Sequence, residues 1–250
     1  TVTLIRIIGQ LIDNFLFIGE QIDKNRNLRR AKQMDKKSSM MKDAIILCAI
    51  TLILGAVLAG VYMLTKDPID NAQKKTNNEA CAVVVAQGDS VKDNDAEAVS
   101  GAAAYLSKHD LSNAEVKEGD LLSEYVEITE VHPTANGGKV YLANALKGYG
   151  GKISFALGVD AQSAITGIQI TSESETAGLG ANCENDEFKA RFKGIKAPES
   201  TSEEMYNKNE TTDTQVQALS GATVTSRAIT RAVKGILFYD ASGKEAGQYE

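Results

Sequence analysis

The chain is poor in the residues that hold metals and haems. Its three cysteines, Cys48, Cys81 and Cys183, lie far apart with no C-x-x-C among them. Iron–sulfur ligation, c-type haem attachment and a zinc site are therefore poorly supported. The odd thiol count argues against a disulfide framework, although a single Cys81–Cys183 bridge stays open. There are two histidines. His109 has no second ligand at metal-like spacing and reads as a surface or cap residue, while His132 sits in a His-Pro turn with no catalytic company. A general acid–base constellation is also missing, so no substrate chemistry is expected of the chain by itself.

Positive charge is scarce where a nucleic-acid binder would need it. The net charge of −6 hides an asymmetry. Residues 1–66 carry ten Lys/Arg and five Asp/Glu, whereas residues 67–250 carry seventeen and twenty-eight. A domain this acidic, with no zinc-finger, RNP or basic-stripe pattern, excludes nucleic acid as a partner.

What the chain has in quantity is an uncharged apolar run. Ala44 to Thr65 is 22 residues without a charge, about 33 Å as a helix and enough to cross a bilayer core of about 30 Å. Between Lys24 and Lys42 stand eight basic residues and one acid, Asp35. The positive-inside rule then predicts that the N-terminus is cytoplasmic and that everything after Lys66 lies outside. No A-x-A site closes the run, and it is longer than a signal-peptide core, so it reads as an uncleaved single-pass anchor. It holds no ionisable residue of the kind that marks an ion path. Residues 1–22 are apolar but interrupted by Arg6, Gln10, Asp13, Asn14 and Glu20. They suit an interfacial helix or a non-native extension equally well.

Beyond the anchor, Pro68 to about Lys75 and an Ala-rich stretch near Asp93–Ser107 read as a helical stalk. From Tyr125 the period changes to two. Tyr125–Val131, Lys139–Leu146, Lys152–Val159 and Ala164–Thr171 are expected strands, separated by turns bearing Gly and Asp. Phe188 and Phe192, at helical spacing, are expected in the core. Residues 197–214 read as a surface loop and the tail after Tyr239 as frayed.

Near the C-terminus seven residues, Ser220-Gly221-Ala222-Thr223-Val224-Thr225-Ser226, include four hydroxyls and two small residues. Ile229, Val233, Ile236 and Leu237 follow on one helical stripe, so the segment reads as a turn feeding a helix. The start of such a helix offers free N–H groups and the positive dipole end to a phosphate. Arg227, placed in a first turn, would oppose that dipole unless an anion sat there.

These residues resemble the S/T-G-A-S/T-x-T/S motif of flavin-binding domains that carry FMN in phosphoester linkage to the last Thr. Gln217 stands where that family often has Asp. A second stretch, Glu175-Thr176-Ala177-Gly178-Leu179-Gly180, resembles the family's E-T-x-G-L-G loop. The resemblance implies Thr225 as the attachment residue, Ser220, Gly221, Ala222 and Thr223 around the phosphate, and Glu175, Thr176, Gly178, Leu179 and Gly180 over the ring. Gly178 and Gly180 would allow close backbone approach, and Leu179 would pack on the ring face. A separate flavin transferase moving FMN from FAD is implied too, because an unaided threonine hydroxyl is a poor nucleophile.

Together with the anchor, the two motifs resemble the G subunit of the Rnf complex, the membrane ferredoxin:NAD oxidoreductase, over roughly residues 41–238. The C subunit of the sodium-pumping NADH:quinone oxidoreductase is a close alternative. The resemblance implies an α+β fold in which a single N-terminal transmembrane helix precedes an extracytoplasmic FMN-binding domain with an antiparallel or mixed sheet. Its expected parts are an extension at 1–40, an anchor at 41–66, a stalk at 67–110 and the FMN-binding domain at 111–250. The implied role is electron relay through covalent FMN in the cytoplasmic membrane of a bacterium or archaeon. Membrane and cytoplasmic subunits of one complex would be the partners, and electron flow would be coupled to Na⁺ or H⁺ transport. A noncovalent FMN sensor and an anchored assembly protein with a vestigial motif are the readings from other classes.

Overall fold

The computed structural model describes residues 2–109, 121–199 and 203–246, with side chains described at 42 and between 44 and 243 within those ranges. Thus the side chains of residues 1–22, the expected domain start at 111 and residues 200–202 of the expected loop lie outside the described residues. The chain divides into two units, Thr1–Ile69 and Asp70–Glu250.

The first unit is helical, formed by most of α1 (Val2–Val84). Its apolar side chains from Ile45 to Leu64 are exposed all round the helix, the pattern of a helix whose surroundings are themselves apolar. The Thr51 and Thr65 hydroxyls donate back to carbonyls of their own helix, which satisfies them without water. One segment of α1, starting at Ala44, is long and apolar enough to span a membrane. The helix does not begin anew at Pro68 but passes through it, at the loss of one backbone hydrogen bond.

The second unit is α+β. Strands β1 (Val126–Pro133), β2 (Lys139–Ala145), β3 (Ile153–Val159) and β4 (Ile165–Ser172) form an antiparallel sheet in the order β1-β2-β3-β4. Each observed strand lies within one or two residues of its expected bounds. The β1–β2 turn closes with Thr134 N–H donating to Gly138 O and Gly138 N–H donating to Thr134 Oγ1.

Both faces of the central strands are covered. On one face Tyr141, Ala143, Phe155 and Leu157 pack with Ala102 and Leu106 of α2 (Ala96–Leu106), Phe188 of α3 (Asp186–Ala190) and the apolar stripe of α4 (Thr223–Ala246). On the other, Val140, Leu142 and Ala156 meet Ala80, Cys81 and Val84 of α1. Phe188 and Phe192 are core residues, edge to face at 5.3 Å. The Thr166 hydroxyl donates to the helix-end carbonyl of Val84, and a Cβ at Gly158 would strike that same carbonyl. Helix α2 starts at Ala96 because Asp95 caps the N–H groups of Glu97 and Ala98 at 3.0 Å.

Three sequence expectations change. Cys81 and Cys183 are both free and buried. They belong to the clusters on opposite faces of the sheet, which rules out a bridge between them. The described part of 197–214 is not a free loop. Met205 is buried, Tyr206–Asn207 (β5) pairs parallel with Val216–Gln217 (β6), and Glu204 accepts from Arg231 of α4 at 2.8 Å. The helix does not fray after Tyr239 but runs to Ala246. Asp240, 1% exposed, accepts from Tyr141 Oη at 2.7 Å, Ser163 Oγ at 2.6 Å and Lys139 Nζ at 3.1 Å. Donors from β2 and from the β3–β4 turn thus hold the helix end against the sheet.

Candidate functional site

Three segments far apart in sequence meet where α4 begins. The turn before the helix is fixed by its own groups. Gly221 has φ +73°, a conformation that disfavours a side chain. The Ser226 hydroxyl accepts from Leu219 N–H at 2.9 Å and donates to Ala222 O at 3.0 Å. Ser226 is therefore a staple inside the turn. Its N–H already bonds Ala222 O, and the N–H groups of Thr223, Val224 and Thr225 are the orphan donors that any helix start leaves.

The second segment leaves β4 at Ser172 and turns through Glu175–Leu179. Thr176 O accepts from Leu179 and Ala181 N–H, Gly178 adopts φ +78°, and Asn182 donates to Gly178 O. The chain then winds into a 3₁₀ turn, Gly180–Glu184. The third segment is the β2–β3 turn, Gly148 to Gly151.

The meeting point is a hydrogen bond. Thr225 Oγ1 donates to Glu175 Oε2 at 2.7 Å, and Gly150 N–H donates to Glu175 Oε1 at 3.0 Å. The packing tolerates nothing larger than glycine. A Cβ at Gly180 would stand 2.6 Å from both Thr225 Oγ1 and Glu175 Oε2, and one at Gly148 would stand 2.6 Å from Glu175 Oε1.

Around this contact lies a pocket of about 410 Å³, lined by Tyr149, Glu175, Thr176, Leu179, Gly180 and residues 221–225. That volume is in the range of small-molecule sites. Size alone does not single it out. A hollow of about 480 Å³ lies beside Cys81 and His132, but both His132 nitrogens are already engaged, with Lys92 O and Glu130 Oε2. The 410 Å³ pocket combines donors and an apolar rim: Tyr149 is 73% exposed, Leu179 44% and Val224 50%.

Of the ten residues expected from sequence, Glu175, Thr176, Leu179, Gly180, Gly221, Ala222, Thr223 and Thr225 line this pocket. Ser220 and Gly178 do not. No atom lies within 4 Å of a Cβ built on Gly178, so its positive φ is what requires glycine. Close approach is the role of Gly180. Tyr149 lines the pocket too, though it was not among the expected site residues. Arg227 is not in the first turn and does not face the pocket. Its guanidinium lies 4.8 Å from the Tyr206 ring centre and donates to the Tyr206 hydroxyl. The inference of an anion from Arg227 therefore lapses.

The local field is acidic. Burial pushes the Cys183 thiol up to about 12, and Glu173, Glu184 and Glu175 add to the rise. Among the described residues no Lys or Arg lines the pocket. A phosphate here would be met by helix N–H groups and hydroxyls, and a planar ring by Leu179, Tyr149 and the glycine backbone. These features fit a flavin mononucleotide, with the Glu175 carboxylate the one group of like charge among the residues that line the pocket.

Two families match the chain: the FMN-binding domain over residues 148–237 and the RnfG N-terminal region over residues 34–84. The chain is similar to the G subunit of the proton-translocating ferredoxin:NAD(+) oxidoreductase complex of Clostridium ljungdahlii, at 30% identity over 82% of this chain and 92% of the relative. The G subunit of the Na(+)-translocating ferredoxin:NAD(+) oxidoreductase complex of Acetobacterium woodii is 28% identical over 78% and 88%. That of the ion-translocating oxidoreductase complex of Shewanella piezotolerans is 24% identical over 81% and 90%. Among solved structures, the C subunit of the Na(+)-translocating NADH-quinone reductase of Parabacteroides distasonis matches with TM-score 0.35 and 22% identity. The match covers 45% of this chain and 59% of that one.

Proposed function

This chain belongs to the family of G subunits of ion-translocating ferredoxin:NAD(+) oxidoreductase (Rnf) complexes, and we propose that it relays electrons in such a complex through FMN esterified to Thr225. The observation that carries the reading is the convergence of the Thr225 helix start and the Glu175–Gly180 loop on one pocket, inside the segment matched by the FMN-binding domain. Bound flavin supplies the one- and two-electron chemistry that no side chain here provides. The chain's own part is to hold it. The N–H groups of the first turn of α4 suit the phosphate, Leu179 and Tyr149 suit the ring faces, and Gly180 leaves room for both.

Residues 41–66 serve as the anchor in this reading, 67–110 as a connecting region and 111–250 as the flavin domain. The N-terminus is cytoplasmic and the domain lies outside the cytoplasmic membrane. A flavin transferase installs the FMN, and other membrane and cytoplasmic subunits of the complex supply and accept electrons. Relatives are named for proton and for sodium translocation, so the coupling ion is not assigned to this chain.

One observation favours a second reading, noncovalent FMN: the Thr225 side chain is only 1% exposed and already bonded to Glu175. A denaturing gel decides between the two. Ester-bound flavin stays fluorescent with the protein band, and peptide mass spectrometry then finds the FMN mass on Thr225. Thr225→Val is expected to abolish band fluorescence while costing about 1.5–3 kcal/mol of stability, the worth of one hydrogen bond to a carboxylate. Flavin that washes out of the wild-type band, or sits on another residue, would overturn the covalent reading.

A further inference from the structure

A threonine hydroxyl attacks phosphorus only with help from a base, and among the described residues the structure offers the Thr225 hydroxyl an acceptor that could serve. Its Oγ1 donates to Glu175 Oε2 at 2.7 Å. The other oxygen of that carboxylate is fixed by Gly150 N–H at 3.0 Å. The glycines at 148 and 180 clear space around the two oxygens, and a Cβ on Gly150 would collide with the Ser174 carbonyl. The carboxylate is thus built into a cradle. Its neighbours are acidic or neutral: Glu173, whose carboxylate accepts the Glu175 N–H, then Cys183 and Glu184 on the 3₁₀ turn, Tyr149 on the β2–β3 turn and Thr225 on α4.

We propose that Glu175 is the base that receives the Thr225 hydroxyl proton when FMN is attached, a role that rests on the covalent reading above. In the balanced step Thr225 Oγ1 forms a bond to the flavin-side phosphorus of FAD. The bond from that phosphorus to the bridging oxygen breaks, AMP leaves with the electron pair, and the proton passes to Glu175 Oε2. Nothing is oxidised or reduced. The proton also solves a problem of charge. After attachment the ester oxygen has no hydrogen to donate, and a phosphodiester anion stands beside the carboxylate. A protonated Glu175 meets it as a donor instead of a like charge.

The test uses the full-length chain, purified in detergent from a host lacking flavin transferase, then incubated with FAD and a purified transferase. Attached flavin is read by in-gel fluorescence and its position by peptide mass. Glu175→Gln keeps the shape and can still accept from Gly150. It is expected to slow attachment about 10²- to 10⁴-fold, the usual worth of a positioned base. Its rate should also climb steadily with pH as hydroxide substitutes, whereas the wild-type rate levels off. Glu175→Asp should fall between the two and keep the plateau.

Attachment to the Gln variant within threefold of wild type overturns the proposal, as does a slower variant that keeps the wild-type pH profile. If the Gln variant does not fold, Glu175→Asp answers alone, and a rate within threefold of wild type overturns the assignment. Failure of the covalent reading looks different: the wild-type chain itself then gains no flavin on Thr225, and the base role falls with it.

Discussion

Gly180 has no side chain, and that is what lets Thr225 and Glu175 touch. An added methyl would stand 2.6 Å from both partner oxygens and 2.8 Å from Glu175 Cβ, inside any tolerable contact. Gly180→Ala must therefore part the loop from the helix start. Overpacking of this kind costs about 1–3 kcal/mol, and chemical denaturation of the domain is expected to show a loss in that range together with reduced flavin on the gel. Normal stability and normal attachment would mean that the loop re-forms elsewhere at little cost. At this scale the sequence was informative about residue type and weak about role. It singled out Glu175, Gly178, Gly180 and Thr225 and gave both glycines one role, whereas in the fold Gly180 clears space for Thr225 and Glu175 and Gly178 supplies a positive φ. A residue type carries no record of φ or of what faces it from a distant part of the chain. Arg227 misled for the same reason, since nothing near it in sequence announces Tyr206.

Helix α4 carries an unusual cation for its setting. Lys234 is fully buried, its ammonium donates to Glu203 O at 2.9 Å, and burial lowers its proton affinity to about 8 from the ordinary 10.5. Glu204 and Glu203 oppose the fall, and Arg231 adds to it. Between about pH 8 and 10.5 the unfolded chain therefore holds a proton that the folded chain has released, so this residue's contribution to stability rises with pH across that window. The Cys81 and Cys183 thiols, pushed up to about 11 and about 12, act in the opposite sense above their ordinary 9.0. The Lys234 effect is thus read as a difference: Lys234→Met is expected to gain stability relative to wild type at pH 7, with the gap closing by about pH 10. A gap that does not change with pH would show that Lys234 stays fully charged in the fold. Elements were the most legible level. Alternation found all four strands of the main sheet, and the apolar stripe at 229, 233, 236 and 237 found α4. What escaped were elements built from polar residues, β5, β6 and the last turns of α4, because Glu204 and Asp240 find their partners only in three dimensions.

At the scale of the whole molecule, the two units make opposite demands on their surroundings. Ile45–Leu64 exposes apolar side chains all round the helix, whereas residues 67–250 carry seventeen basic and twenty-eight acidic residues. Water suits the second and not the first. The sequence made this division plain, because a 22-residue run without a charge is a property of composition and needs no tertiary contact to be read. The proposed orientation rests on a different asymmetry. Eight Lys/Arg against one acid between Lys24 and Lys42 flank the run on its N-terminal side, and such clusters are retained in the cytoplasm during insertion. The C-terminal flank, from Lys66 to Glu79, has three Lys and three acids, Lys66, Lys74 and Lys75 against Asp67, Asp70 and Glu79, too balanced to compete. Protease added to intact spheroplasts is accordingly expected to digest the flavin domain while leaving a protected N-terminal fragment. Changing Lys24, Arg26, Arg29, Arg30 and Lys32 to Gln should make part of the population resistant by weakening the bias. A domain protected in wild-type spheroplasts would put the flavin on the cytoplasmic side.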